Sequence, residues 1–223
     1  MLIRTQVVAG LALGLLCAAA PVAAQGGSRV AIAGFETDGS VGLSREDYDA
    51  LGRALTALLS AEVGSRGSPT SALVVKPVPG NRSGRVDVGS ARTAATSAGV
   101  KVLVVGTLLD QYGDVHIEAR VIDAATGEPI AVVRGSPSFE KREQLAEAIA
   151  DLADRIAQQP AVGGKQSSLA RGGVPVAALV LFGQGLRFES AGEAGKAADA
   201  YRGSLKAAPG LNEAAAALKR VGG

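Results

Sequence analysis

The residues best placed to do chemistry lie in one short stretch, 115–123 (VHIEARVID), where His116, Glu118 and Arg120 recur with a period of two. On a strand that period puts the three side chains on one face, where neighbours meet and could bind an anion or pass a proton. A solvated strand face shows the same pattern, with Val115, Ile117, Ala119 and Val121 turned inward, and that reading is preferred. Asp110 and Asp114 flank Tyr112-Gly113 and could ligate a cation, yet Asp is also the favoured residue of turns. Glu46, Asp47 and Asp49 crowd the start of a helix, where negative charge suits the helix dipole. Gly183 and Gly185 follow no strand and lack the rest of a phosphate-binding fingerprint. Asn81-Arg82-Ser83 matches a glycosylation acceptor, and Arg82 and Arg85 sit in a loop that could touch an acidic partner. Nowhere do a nucleophile, a base and an oxyanion donor come together, so no catalytic residue, metal or cofactor is expected and the chain is read as not an enzyme.

Composition narrows the choice in the same direction. The chain has 223 residues, a formal net charge of +2, one His and one Cys. That leaves few ligands for zinc and little material for a His-based triad. Aromatic residues make up 3%, too few for base-stacking platforms, and near-neutral charge lacks a nucleic-acid footprint. Hydrophobic residues reach 47%, enough for a sizeable core.

Residues 1–24 have the layout of a cleaved signal peptide: Arg4, an uncharged apolar run over 7–20, then small residues at Val22-Ala23-Ala24. Leu16 before Cys17 does not suit lipoprotein acylation, so Cys17 is expected to leave with the leader. The mature chain would then hold no thiol and no disulfide.

The elements that position these residues read as α/β over 28–158, in the order β-α-β-α-β-β-β-α. Residues 28–35 form a buried strand ending at Gly34-Phe35. Ser44 and Asp47 resemble a capping box, and Tyr48, Leu51, Leu55, Leu58, Leu59 and Val63 share one face of the helix that follows. A strand over 72–75 and a weaker, Asp87-capped helix through Ala98 come next. Residues 100–109 are apolar on nearly both faces, as in a central strand covered on each side. The 115–123 strand and a return over 130–134 follow, then a helix over 140–158 carrying Leu145, Ile149, Leu152 and Ile156. Mixed connections of this kind imply a mixed β-sheet with packed helices. Residues 159–173 read as a flexible linker, and 174–223 as a small all-α helical module, with Asn212 capping its last helix.

The helical module resembles one tetratricopeptide repeat. Gly185 and Ala197 stand at the small positions where the two helices touch, Phe188 and Tyr201 beside them, Gly192 in the turn, and Pro209 at the end of the second helix. Leu181 and Gln184 depart from the family's usual Trp and Leu. Family geometry implies a concave side bearing Phe182, Leu186 and Glu189, which are the candidate partner contacts. A lone repeat cannot bury its whole apolar face, so it must lean on the rest of the chain, another copy or a partner.

Residues 28–158 resemble the periplasmic α/β domain of the curli secretion component CsgG and of the TolB amino-terminal part. The carriers are VAIAGFETDGS (30–40), YDALGRALTALL (48–59) and the stretch 97–130 with Gly99, Gly106, Asp123, Thr126 and Gly127 at the family's positions. The resemblance implies a periplasmic cell-envelope protein serving assembly or secretion by docking to envelope proteins or by self-association. No nucleic acid is expected, and the membrane only peripherally. A CsgG-like outer-membrane channel subunit and a small-ligand-binding α/β protein are the alternatives; the first lacks spare amphipathic strands in this sequence.

Overall fold

The computed structural model describes residues 30–39, 42–67, 70–72, 86–165 and 172–222. The expected leader with Cys17, residues 73–75 of the expected 72–75 strand, Asn81, Arg82 and Arg85, and residues 166–171 of the expected linker lie outside the described residues.

The chain runs β1 (Val30–Gly39), α1 (Arg45–Ser65), β2 (Thr70–Ala72), α2 (Val88–Ser97), β3 (Val102–Gln111), β4 (Asp114–Asp123) and β5 (Pro129–Arg134). Two 3-10 turns precede α3 (Leu145–Ala157), and α4 (Val176–Ser190), α5 (Ala194–Ala207) and α6 (Asn212–Val221) complete it. The strands form one five-stranded sheet in the order β2-β1-β3-β4-β5. β1 is parallel to β2 and β3, while β3, β4 and β5 are successively antiparallel. The mixed α/β class and the element order are as the periodicities require.

Strand alternation sorts side chains between two layers. Val30, Ile32, Val104, Leu108, Ile117 and Val121 meet Leu51, Leu55 and Leu58 of α1 and Ile149 and Leu152 of α3 in the main core. On the other face Ala31, Ala33, Leu103, Val105 and Ile122 are covered by Ala91 and Ala95 of α2. That second layer is thin because α2 offers mainly methyl groups. The β4 alternation is as expected: Val115, Ile117, Ala119 and Val121 are buried.

Three elements depart from expectation, each for a local reason. β1 does not stop at Gly34-Phe35 but continues to Gly39, with a register shift against β3 between Ile32 and Gly34. Gly34 adopts φ +148, a conformation open to glycine, so the residue read as a stop is the site of a bulge. The shift seats Phe35 across from Gly106, where a Cβ would lie 2.4 Å from the Phe35 ring. α3 begins at Leu145 rather than 140, because the preceding segment is stitched to the β3–β4 hairpin instead. Val115 N–H donates to the Glu140 carbonyl and Arg142 N–H to the Gly113 carbonyl. Asn212 does not cap α6; Leu211 holds that position with no side-chain bond.

The C-terminal helices share the main core, which runs without a break from the sheet to Phe182, Tyr201 and Ala214. Two glycines set the approach. A Cβ on Gly183 would lie 1.8 Å from the Ala50 carbonyl oxygen of α1, and one on Gly185 would lie 2.3 Å from the Tyr201 ring. Gln184 between them donates to Asp47 at 3.3 Å. The Gly-x-Gly that could suggest a phosphate loop is therefore a packing device on both sides of α4. Ahead of it, residues up to 165 are tied down: Gly164 N–H donates to Ala157 and Lys165 N–H to Arg66, both to backbone carbonyls.

Candidate functional site

The strand triad does not assemble into a site. His116 is exposed, while Glu118 faces a partner on neighbouring β5 and Arg120 reaches across β3 to one on β1. Arg134 Nε lies 3.7 Å from Glu118, and Arg120 Nη2 lies 3.4 Å from Glu36. Both are solvent-accessible ion pairs, of the kind that contribute little energy.

Asp110 and Asp114 are likewise drawn to separate cations. Asp114 pairs with Lys141 at the surface. Asp110 ends the core-facing side of β3 and is 1% exposed. Its carboxylate accepts from Tyr48 Oη at 3.1 Å, from Arg142 Nε at 2.6 Å and from Gly113 N–H at 3.0 Å. Burial alone pushes this carboxyl up, but the Arg142, Gly113 and Tyr48 bonds outweigh it and hold the group below its ordinary value. Burial and the adjacent Asp110 carboxylate push the Tyr48 phenol up. With every oxygen engaged by α1, the hairpin turn and the segment before α3, the cluster fastens four pieces of chain and leaves no open ligand position.

A second buried charge, the cation Arg66, was not signalled by the sequence, because it sits among the polar residues that end α1. It is 3% exposed. Its guanidinium donates to Asp154 at 2.6 Å, to the Glu62 carbonyl at 2.6 Å and to the Ala150 carbonyl at 3.0 Å, joining the end of α1 to α3. Periodicity counts only apolar positions, so an arginine consumed internally is invisible to it.

The expected contacts on α4 are corrected by the packing. Phe182 is 2% exposed and lies 6.0 Å, ring centre to ring centre, from Tyr201, so it is core rather than docking surface. Leu186 is half-buried against the same core. Glu189 accepts from the buried Tyr201 hydroxyl and from Arg220 Nε and Nη2, each at 3.1 Å. Burial pushes the Glu189 carboxyl up, yet its bonds to Arg220 and Tyr201 bring it below its usual value. The Tyr201 phenol is pushed up by burial and by Glu189. The face that repeat geometry would leave concave is closed here by α1 and α5.

The far side of the helical part is only partly covered. Between α5 and α6 lies a groove of about 510 Å³, lined by Arg202, Leu205, Ala215, Leu218, Lys219 and Gly222. Its floor is aliphatic and its only charged lining groups are two cations, Arg202 and Lys219. Arg202 makes a surface pair with Asp199 one turn back. A smaller cleft of about 330 Å³ beside α2 is lined by Arg92 and by Thr93, Thr96 and Ser97. Its arginine is already bound to the Ala124 and Ala125 carbonyls. Among the described residues no group of three or more His, Cys, Asp or Glu could hold a metal ion, and no helix is long and apolar enough to cross a membrane.

No protein-family model matches the chain, and no curated protein matches its sequence. Solved structures do overlay in part. TolB from Acinetobacter baumannii matches at 13% identity and a TM-score of 0.38, over 60% of this chain and 28% of that one. A PelC dodecamer from Paraburkholderia phytofirmans matches at 12% identity and 0.35, over 59% of this chain and 87% of that one. The LpoB C-terminal domain from Salmonella enterica matches at 13% identity and 0.29, over 49% and 81% respectively. The chain thus spans little more than a quarter of the TolB length.

Proposed function

We propose that this chain is an exported, non-enzymatic cell-envelope protein that works by docking to other envelope proteins. The leader-like sequence over 1–24 supports export. The observation that carries the docking role is the α5–α6 groove, an aliphatic floor between two cations. Elsewhere buried Asp110 and Arg66 and half-buried Glu189 serve the fold, each holding segments far apart in sequence. The helical part is braced on α1 through Gly183, so the groove is presented on a rigid support rather than on a tether.

Affinity capture from envelope extract tests this reading, using the full chain and its Leu218→Glu variant. Loss of specific partners from the variant, with its thermal midpoint near that of the parent, is the expected result. Identical partner sets would remove the groove from the account.

A further inference from the structure

The sheet ends on β5, a six-residue strand whose outer side is met by no other strand among the described residues. Gly135 N–H donates to the Ile117 carbonyl, and Glu118 stands opposite Arg134. Antiparallel pairing alternates the direction of the backbone groups, so those of Ala131 and Val133 turn to β4 while those of Val132 and Arg134 turn outward. The side chains of Ala131 and Val133 pack on the main core, whereas Ile130 and Val132 are 44% and 53% exposed. Open hydrogen-bonding groups and bare aliphatic side chains thus share one edge.

The strand's own composition says what fits it. Edges that must stay single carry a lysine, an inward charge, a proline or a bulge that spoils pairing with a copy. In β5 the proline is the first residue, Pro129, and the register shift lies between it and Ala131, so 131–134 are clear. From Pro129 to Val133 no side chain is charged or hydrogen-bonding, so nothing there rejects an identical strand. Arg134 is already paired with Glu118 of its own sheet. Antiparallel alignment about a two-fold axis near Val132 sets aliphatic residues together and keeps the two Arg134 side chains on opposite sides of the axis. Parallel alignment would bring those like charges side by side.

We infer that β5 pairs with β5 of a second copy of this chain, antiparallel, joining the two sheets into one across a two-fold axis. The pairing consumes the β5 edge of both copies, so association stops at the dimer. Six residues make a small interface, and the dimer is expected to come apart on dilution. β5 shares no residue with the α5–α6 groove, so this association stands or falls independently of the docking reading above.

Sedimentation of the purified chain over a concentration series tests this, with Val132→Lys and Val132→Pro alongside. The parent is expected to pass from monomer to dimer, and both variants to raise the dissociation constant at least about tenfold. Val132 is exposed and its N–H makes no bond to β4, so the monomer of each variant should melt near the dilute parent. Amide exchange supplies the local readout. The Val132 and Arg134 amides should slow as concentration rises, while those of Ala131 and Val133, already bonded to β4, keep their rates. A monomer at every concentration, an assembly larger than a dimer, a dimer indifferent to both substitutions, or slowing confined to other segments would overturn the inference.

Discussion

α4 and α6 are the first and last helices of the same small helical part, and they do opposite things with similar materials. α4 is sealed: Gly183 lets it lie directly on the α1 backbone, Gly185 admits Tyr201, and Phe182 is buried between. α6 buries Ala214 and Ala217 but leaves Leu218 half-covered beside Lys219. The difference teaches that the available surface is decided by where small residues permit close approach. Resemblance to a repeat assigns the working face to α4; packing seals that face.

The sharpest way to break the contrast is to unseat α4. Gly183→Leu drives a side chain into the Ala50 carbonyl, and the helices must part, costing about 4 kcal/mol or more in urea unfolding. A near-neutral result would mean that α4 does not rest on α1. Next in size, Asp110→Ala leaves the Arg142 guanidinium without its buried acceptor and costs about 3 kcal/mol. The pH dependence follows from the same group. Its folded pKa is depressed, so its stabilisation is complete above the ordinary carboxylate range and is lost as pH falls through the folded value. Denaturation followed down the acid limb should therefore show a shallower decline in Asp110→Ala than in the parent. Tyr201→Phe removes one hydroxyl from Glu189 and should cost about 1–2 kcal/mol, read as a lowered thermal midpoint. Smallest of all, Glu118→Ala on the outer strand face should cost less than about 1 kcal/mol, because both members of its pair are substantially exposed. A large loss there would restore functional weight to the His116 strand face.

Much of this architecture is legible in the residues. The Leu and Val stripe from Tyr48 to Val63, the two-residue alternation from Val115 to Val121, and the caps Ser44 and Asp87 each state a local geometry that packing then confirms. What escapes the sequence is long-range. Gly34 is a punctuation mark by type and becomes a bulge because β1 has a parallel neighbour to continue along. Residues 140–144 do not join α3 because Glu140 and Arg142 are claimed by a hairpin some thirty positions earlier. The α5–α6 groove carries no sequence signal of its own, because Leu205 and Leu218 are partly buried aliphatic positions that meet only once the two helices pack. Arg202 and Lys219 add a signal that is visible in sequence but has meaning only once the two helices are side by side.

Hydrogen exchange of the chain with and without its captured partner puts the contrast between the two helices to the most direct test. Amides of 202–222 should slow on partner addition while those of 176–190 keep their rates. Slowing centred on α4, with α6 unchanged, would contradict the account.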